Sequence, residues 1–187
     1  MFFETQDLII RPSVWADLEY FHVWERNPAV TEFFSIRDGQ TMEECAKKFI
    51  ADEDDSSAQQ FTICWKKDTP EGVIDGEPIG RIVLADIIEG WKAELWRIYI
   101  ADTGLRGKGL GKQAMKAIMS YCFDILDLER MYLDHYTGNP ASHMYLSLGF
   151  QYEGVLRKNC RKNGILYDVH LMSMLRGEYE TLAKDDE

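Results

Sequence analysis

Apolar, β-branched and aromatic residues gather in five short runs: 8–12 (LIIRP), 60–66 (QFTICWK), 78–88 (PIGRIVLADII), 93–100 (AELWRIYI) and 130–136 (RMYLDHY). Bounded by Gly, Pro or polar clusters, these runs predict strands. Residues 67–76 read as a polar turn region, and the short connections from 60 to 100 predict an antiparallel meander. Runs 150–159 and 165–175 flank Asn163-Gly164, a strong hairpin turn. Helical spacing relates Val14, Leu18, Phe21 and Trp24 behind Ser13, a good cap, until Asn27-Pro28 breaks the pattern. Residues 29–34 predict a short second helix. Thr41 with Glu44 predicts a capping box on a helix carrying Cys45 and Phe49. The acids of 52–57 (DEDDSS) lack calcium-loop spacing and read as a solvated helix end. Asn139-Pro140 opens another helix that stops at Gly149, and 176–186 predicts a short helix fading into a charged tail.

The chain is organised around Leu105 to Met119, LRGKGLGKQAMKAIM. A glycine-rich turn here follows a predicted strand and enters an amphipathic helix over about 109–126, with Met115, Ile118, Met119 and Cys122 as its apolar stripe. Strand, glycine turn and helix N-terminus together aim backbone N–H groups at one spot, which favours an anion such as a phosphate. Arg106, Lys108 and Lys112 add positive charge. The spacing is neither a Walker A loop nor the dinucleotide fingerprint, because Gly107, Gly109 and Gly111 simply alternate.

Composition narrows the class. With 187 residues, 45% hydrophobic, the chain is long enough for one core and reads as a single domain over 1–187. No run approaches a membrane span and the N-terminal residues lack a signal-peptide pattern, so a cytoplasmic protein is expected. Cys45, Cys64, Cys122 and Cys160 are dispersed, which argues for free thiols and against a metal site. A net charge of −11 argues against direct nucleic-acid binding and is compatible with a cationic substrate. Oligomeric state is not legible; a homodimer stays open.

The loop Arg106–Gly111 matches the [QR]xxGxG acetyl-coenzyme A motif of the GNAT superfamily of N-acetyltransferases, and Ala141, Tyr145, Gly149 and Phe150 match its AxxxYxxxGF pattern. The chain resembles that superfamily over nearly its whole length. Leu8-Ile9-Ile10-Arg11-Pro12, Asp17, Asn27-Pro28 and the stretch YEGVLR before Asn163-Gly164 and Asp168 resemble the ribosomal-protein (RimJ/RimL-type) N-acetyltransferases. The resemblance implies a mixed α/β fold whose central strand splays from its neighbour to admit acetyl-coenzyme A. It implies pyrophosphate binding by Arg106, Gly107, Lys108, Gly109, Leu110, Gly111 and Lys112. It implies pantetheine contacts from Arg97, Ile98, Tyr99 and Ile100, and a cofactor contact from Asn139, which stands one place closer to Ala141 than is common in relatives.

Tyr145 matches the position from which relatives protonate the departing thiolate, which is also a cofactor contact. Glu94 is the first candidate for general base, directly or through water, although Trp96 falls where ribosomal-type enzymes often carry a glutamate. A second glutamate used by some relatives corresponds here to Cys160; His135 and His143 are fallback bases. An amine of pKa ~8, such as a protein N-terminus, needs a base less than one of ~10.4, by ~3 kcal/mol. The expected acceptor is therefore a protein or peptide N-terminus. The alternatives are a polyamine or aminoglycoside, or a non-catalytic acyl-coenzyme A binding module.

Overall fold

The computed structural model describes residues 2–185. Eight strands form one sheet: β1 (Phe3–Glu4), β2 (Leu8–Pro12), β3 (Gln59–Thr69), β4 (Gly72–Ile88), β5 (Lys92–Ile100), β6 (Arg130–Tyr136), β7 (Gln151–Lys162) and β8 (Ile165–Leu175). Their spatial order is β1-β2-β3-β4-β5-β6-β8-β7, and only the β5–β6 pair is parallel. The helices are α1 (Leu18–Trp24), α2 (Pro28–Thr31), α3 (Met42–Asp54), α4 (Leu110–Ser120), α5 (Ala141–Ser147) and α6 (Arg176–Asp185). This is the mixed α/β arrangement that the resemblance implies.

Helix α4 covers one face of the sheet. Its stripe of Leu110, Ala114, Met115, Ile118 and Met119 is buried against Leu8, Ile10, Ile63, Ile82, Leu84, Leu95, Met131 and Leu133. A π-helical turn, Tyr121–Ile125, ends that helix and buries Tyr121, Cys122 and Phe123. On the opposite face, α1 and α3 bury Leu18, Phe21, Cys45 and Phe49. The capping box of α3 forms as its sequence predicts, with Thr41 Oγ1 accepting from Glu44 N and Glu44 Oε2 accepting from Thr41 N.

Several expectations are corrected. Residues 67–69 and 72–76 are strand and the turn is confined to Pro70 and Glu71, because the β3–β4 ladder continues as far as Thr69↔Gly72. Backbone pairing there sustains a hairpin that side-chain patterning does not announce. Ser13 does not cap α1, since its hydroxyl meets Thr62 Oγ1 at 2.9 Å. Asp17 instead secures the short 3-10 turn Trp15–Asp17 that leads into α1: its carboxylate accepts from Val14 N at 2.9 Å while Arg11 grips both of its oxygens. The short strand β1 carries no sequence signal, and Phe3 is held by ring contacts with Phe61 and Tyr121. The helix expected over 29–34 is the single turn α2. Of the C-terminal helix, Asp186 lies outside the described residues.

Two irregularities position the site. The register of β4 on β5 steps from Val83↔Arg97 to Leu84↔Leu95, so Trp96 is an extra, bulged residue. Strands β5 and β6 pair only at Lys92↔Arg130, Ala93↔Met131 and Glu94↔Tyr132 and then part.

Candidate functional site

A cavity of about 730 Å³ opens where β5 and β6 diverge. Its walls are β5 from Glu94 to Ile100, the glycine turn, β6 at Asp134 and Tyr136, and α5 with Asn139 before it. Ala29, Val30, Phe33, Phe34 and Ser35 close another side, and Cys160 of β7 reaches it.

The glycine turn lies at one end of this cavity. Gly107 (φ 77°) and Gly109 (φ 80°) are left-handed, and a Cβ at either would meet nothing within 4 Å. Glycine is required there by backbone conformation, and the space beside it is open. Gly109 precedes α4, no side chain caps that helix, and Leu110, Gly111 and Lys112 of its first turn line the cavity. The N–H groups of a helix's first turn have no partner within the helix. Arg106 lines the cavity while donating from Nη2 to Ala29 O at 2.5 Å, whereas Lys108 is exposed and outside the lining.

Arg97 and Tyr99 line the cavity as well, while their polar side-chain ends join a buried cluster. On the sheet face toward α1, Glu25 Oε1 accepts from Arg81 Nη1 (2.8 Å), Arg97 Nη1 (2.6 Å) and Tyr99 Oη (3.0 Å). All four residues are at least nine-tenths buried. Burial alone would raise the Glu25 carboxyl, but Arg97 and Arg81 outweigh it and hold its pKa below the ordinary value. The backbones divide in the same way. Ala101 N donates to Ile79 O, so alternation turns the N–H and C=O groups of Arg97 and Tyr99 toward β4. Those of Ile98 and Ile100 turn toward the open edge.

Tyr145 is 6% exposed, lines the cavity and has no hydrogen-bond partner among the described residues. Burial, reinforced by the charge of Asp134, pushes its phenol up to about 12, so it is protonated at neutral pH. Glu94 also lines the cavity. Burial first, then Asp134 and Asp86, push its carboxyl up to about 7, with Lys92 opposing. Because of the bulge, the cross-strand pairs Ala85↔Glu94 and Val83↔Arg97 put Glu94 on the same face as Arg97. Trp96 lines the cavity and packs under Lys48 Nζ and Arg97 Cζ, each 4.5 Å from a ring centroid.

Asn139 Oδ1 accepts from Ala141 N at 2.9 Å, the helix-capping role, and the residue lines the cavity. Of the fallback histidines, His143 reaches the cavity. His135 instead stacks on His170 (5.2 Å, 10°). Sequence reasoning missed Asp134, Tyr136 and Ser35, whose hydroxyl meets Tyr136 Oη at 2.7 Å. Alternation in RMYLDHY carried part of the signal: Met131 and Leu133 are core, so Tyr132 and Asp134 must face the other way. Among the described residues no group of three or more His, Cys, Asp or Glu could hold a metal ion, and no helix is long and apolar enough to cross a membrane.

Comparison with known proteins agrees with this geometry. Residues 7–151 match the acetyltransferase (GNAT) domain. The chain belongs to that family and is an acetyl-coenzyme A-dependent N-acetyltransferase. It is similar to the spermidine N(1)-acetyltransferase of Escherichia coli (strain K12), 28% identical over 171 residues, covering 91% of this chain and 87% of that protein. The uncharacterized N-acetyltransferase YoaA of Bacillus subtilis (strain 168) is also 28% identical, over 92% of this chain and 96% of the other. The crystal structure of spermidine N-acetyltransferase from Vibrio cholerae in complex with CoA and spermine gives a TM-score of 0.77 at 25% identity, covering 94% of this chain and 99% of that one. The Escherichia coli and Vibrio cholerae proteins are named for a polyamine acceptor, whereas the sequence alone pointed to a protein N-terminus of the ribosomal-protein type.

Proposed function

We propose that this enzyme acetylates a primary amine of a small polyamine, with Glu94 as general base and Tyr145 as general acid. The observation that carries the reading is Glu94, a cavity-lining carboxyl pushed up to about 7 and unpaired among the described residues. A polyamine amine is mostly an ammonium at neutral pH and must lose a proton before it can attack. A base poised near 7 combines a useful ionised fraction with useful proton affinity, which removes the reason for favouring the less basic protein N-terminus. The polyamine acceptors of the relatives support the same choice.

Acetyl-coenzyme A is the co-substrate and supplies the acetyl group. The N–H groups around Gly109–Gly111 suit its pyrophosphate, and the free edge at Ile98 and Ile100 suits the amides of its pantetheine arm. Glu94 takes one proton from the ammonium and releases it to solvent. The free amine attacks the thioester carbonyl carbon; the C–N bond forms and the C–S bond breaks. Tyr145 gives its proton to the departing sulfur and is restored by the second proton lost from nitrogen. With both substrates held side by side, no protein nucleophile is required.

Thiol release from acetyl-coenzyme A, followed with spermidine, spermine, an aminoglycoside and ribosomal-protein N-terminal peptides, tests the reading. The expected order of kcat/KM places a polyamine at least ~10-fold above any peptide, which is 1.4 kcal/mol of transition-state preference. A peptide preference overturns it. Tight acetyl-coenzyme A binding without turnover on any amine would identify a binding module instead.

A further inference from the structure

The mechanism above leaves one carboxylate of the cavity without a task. Asp134 stands on β6 two residues beyond Tyr132, the last β6 residue that pairs with β5, and so at the point where the strands part. Residues two apart on a strand share a face, and Tyr132 pairs with Glu94, so Asp134 and Glu94 face the cavity from the two sides of the opening. Among the described residues neither carboxylate has an ion pair or a hydrogen bond. Such a pair invites a cation, and the third group at the spot is Tyr145, a residue more than nine-tenths buried whose hydroxyl has no hydrogen-bond partner among the described residues.

We infer that Asp134 binds the acceptor's ammonium and holds the reacting nitrogen between Glu94 and Tyr145. The inference rests on the acceptor being a cationic amine, as proposed above. Its chemistry separates the two carboxylates by role. Glu94 exchanges a proton with the ammonium, whereas the carboxylate of Asp134 attracts the charged acceptor. The acetylated product is a neutral amide at that nitrogen and loses the attraction, so the same residue that captures the substrate does not retain the product. Burial raises the Asp134 carboxyl, and the neighbouring His135 opposes this. The charge of Asp134 raises both Glu94 and Tyr145. Around Glu94 the remaining charged groups are Asp86 from β4 and Lys92 from its own strand.

The test is Asp134→Asn with Asp134→Glu as the conservative partner. For Asp134→Asn the expected result is a rise in spermidine KM of at least ~10-fold, the loss of one charge-assisted hydrogen bond. The acidic limb of kcat/KM moves to lower pH as Glu94 loses a negative neighbour, and acetyl-coenzyme A affinity stays as in wild type. Asp134→Glu recovers part of the KM. An unchanged KM together with an unmoved limb overturns the inference while leaving the polyamine reading in place. Should wild type acetylate no polyamine, that reading falls and n-butylamine becomes the probe. Carboxyl carbon-13 resonances of the coenzyme A-bound protein are then followed as the monoamine is added. A shift at Asp134 that saturates supports the inference, and its absence refutes it.

Discussion

Glu94→Gln separates what this residue does for catalysis from what it does to the fold. The carboxyl stands at about 7 against an ordinary value of 4.5. That displacement corresponds to about 3 kcal/mol at 1.36 kcal/mol for each factor of ten. Because the group is half-buried and touches the solvent of the cavity, screening reduces the realisable part to about 1–2 kcal/mol. The folded state holds the proton more tightly than the unfolded chain, so Glu94 favours the fold below pH ~4.5. This contribution is lost as pH rises through about 7, and the ionised side chain then opposes folding. Replacing Glu94 by glutamine, which never ionises, should therefore raise stability at pH 8 by about 1–2 kcal/mol, or roughly 2–8 °C in Tm. At pH 5, just above the unfolded value, the gain should be only about a quarter of that. The same change should lower kcat/KM for spermidine by ~10²-fold or more and abolish its acidic limb near pH 7. Urea unfolding at the two pH values and a pH–rate profile supply both readings. A stability change equal at pH 5 and pH 8, or an acidic limb that survives, refutes the reasoning.

Three further outcomes follow from the same structure. Tyr145→Phe should lower kcat with little change in acetyl-coenzyme A affinity, because the proposed acid role concerns only the departing thiolate; wild-type turnover would remove that role. Gly109→Asp places a side chain on a left-handed residue and a negative charge at the opening of α4. Its acetyl-coenzyme A Kd should rise by ~10-fold or more by calorimetry, and an unchanged Kd would exclude this turn as the anion site. Glu25→Gln leaves Arg81 and Arg97 buried without a counter-ion and should cost about 3–5 kcal/mol in urea unfolding. Glu25 stabilises the fold above the unfolded carboxyl value of ~4.3 and ceases to do so as pH falls through its lower folded value, so this loss should shrink in acid.

The parts of the fold and of the site that were legible in the sequence are local in the chain. The glycine turn, the capping of α5 by Asn139 and the hairpin at Asn163-Gly164 each need only a few consecutive residues. The last shows φ of 48° and 83°, as a two-residue turn of that type requires. What was not legible depends on register or on distant partners. Glu25 meets Arg81, Arg97 and Tyr99 across 56, 72 and 74 residues, and no spacing rule connects them. The bulge at Trp96 exists only relative to β4, so Trp96 and Glu94 look like ordinary alternating positions in the sequence. Asp134 was half-visible: its face follows from alternation, but its task depends on β5 parting from β6 nearby.

That parting has a mechanical origin in the packing. Beyond Glu94, β5 is committed to its other side: the Glu25 cluster ties Arg97 and Tyr99 to Arg81 of β4 and to the end of α1. Strand β6 is likewise committed to β8, with which it pairs along its whole length from Arg130↔Leu175 to Tyr136↔Val169. Each strand is held by the neighbour it does not share, and the edge between them stays open. Gly80 makes this possible on the β4 side, since a Cβ there would lie 2.3 Å from the carbonyl oxygen of Tyr99. The open edge leaves the backbone groups of Ile98 and Ile100 without a strand partner, and unpaired backbone groups favour an amide-bearing ligand over an apolar one. The anion-seeking turn lies at one end of that edge, and Glu94 and Asp134 lie at the other, where the strands begin to part. On the proposed reading the cavity orders its ligands along one line: phosphate at the helix, amides along β5, and the cationic amine between the two carboxylates.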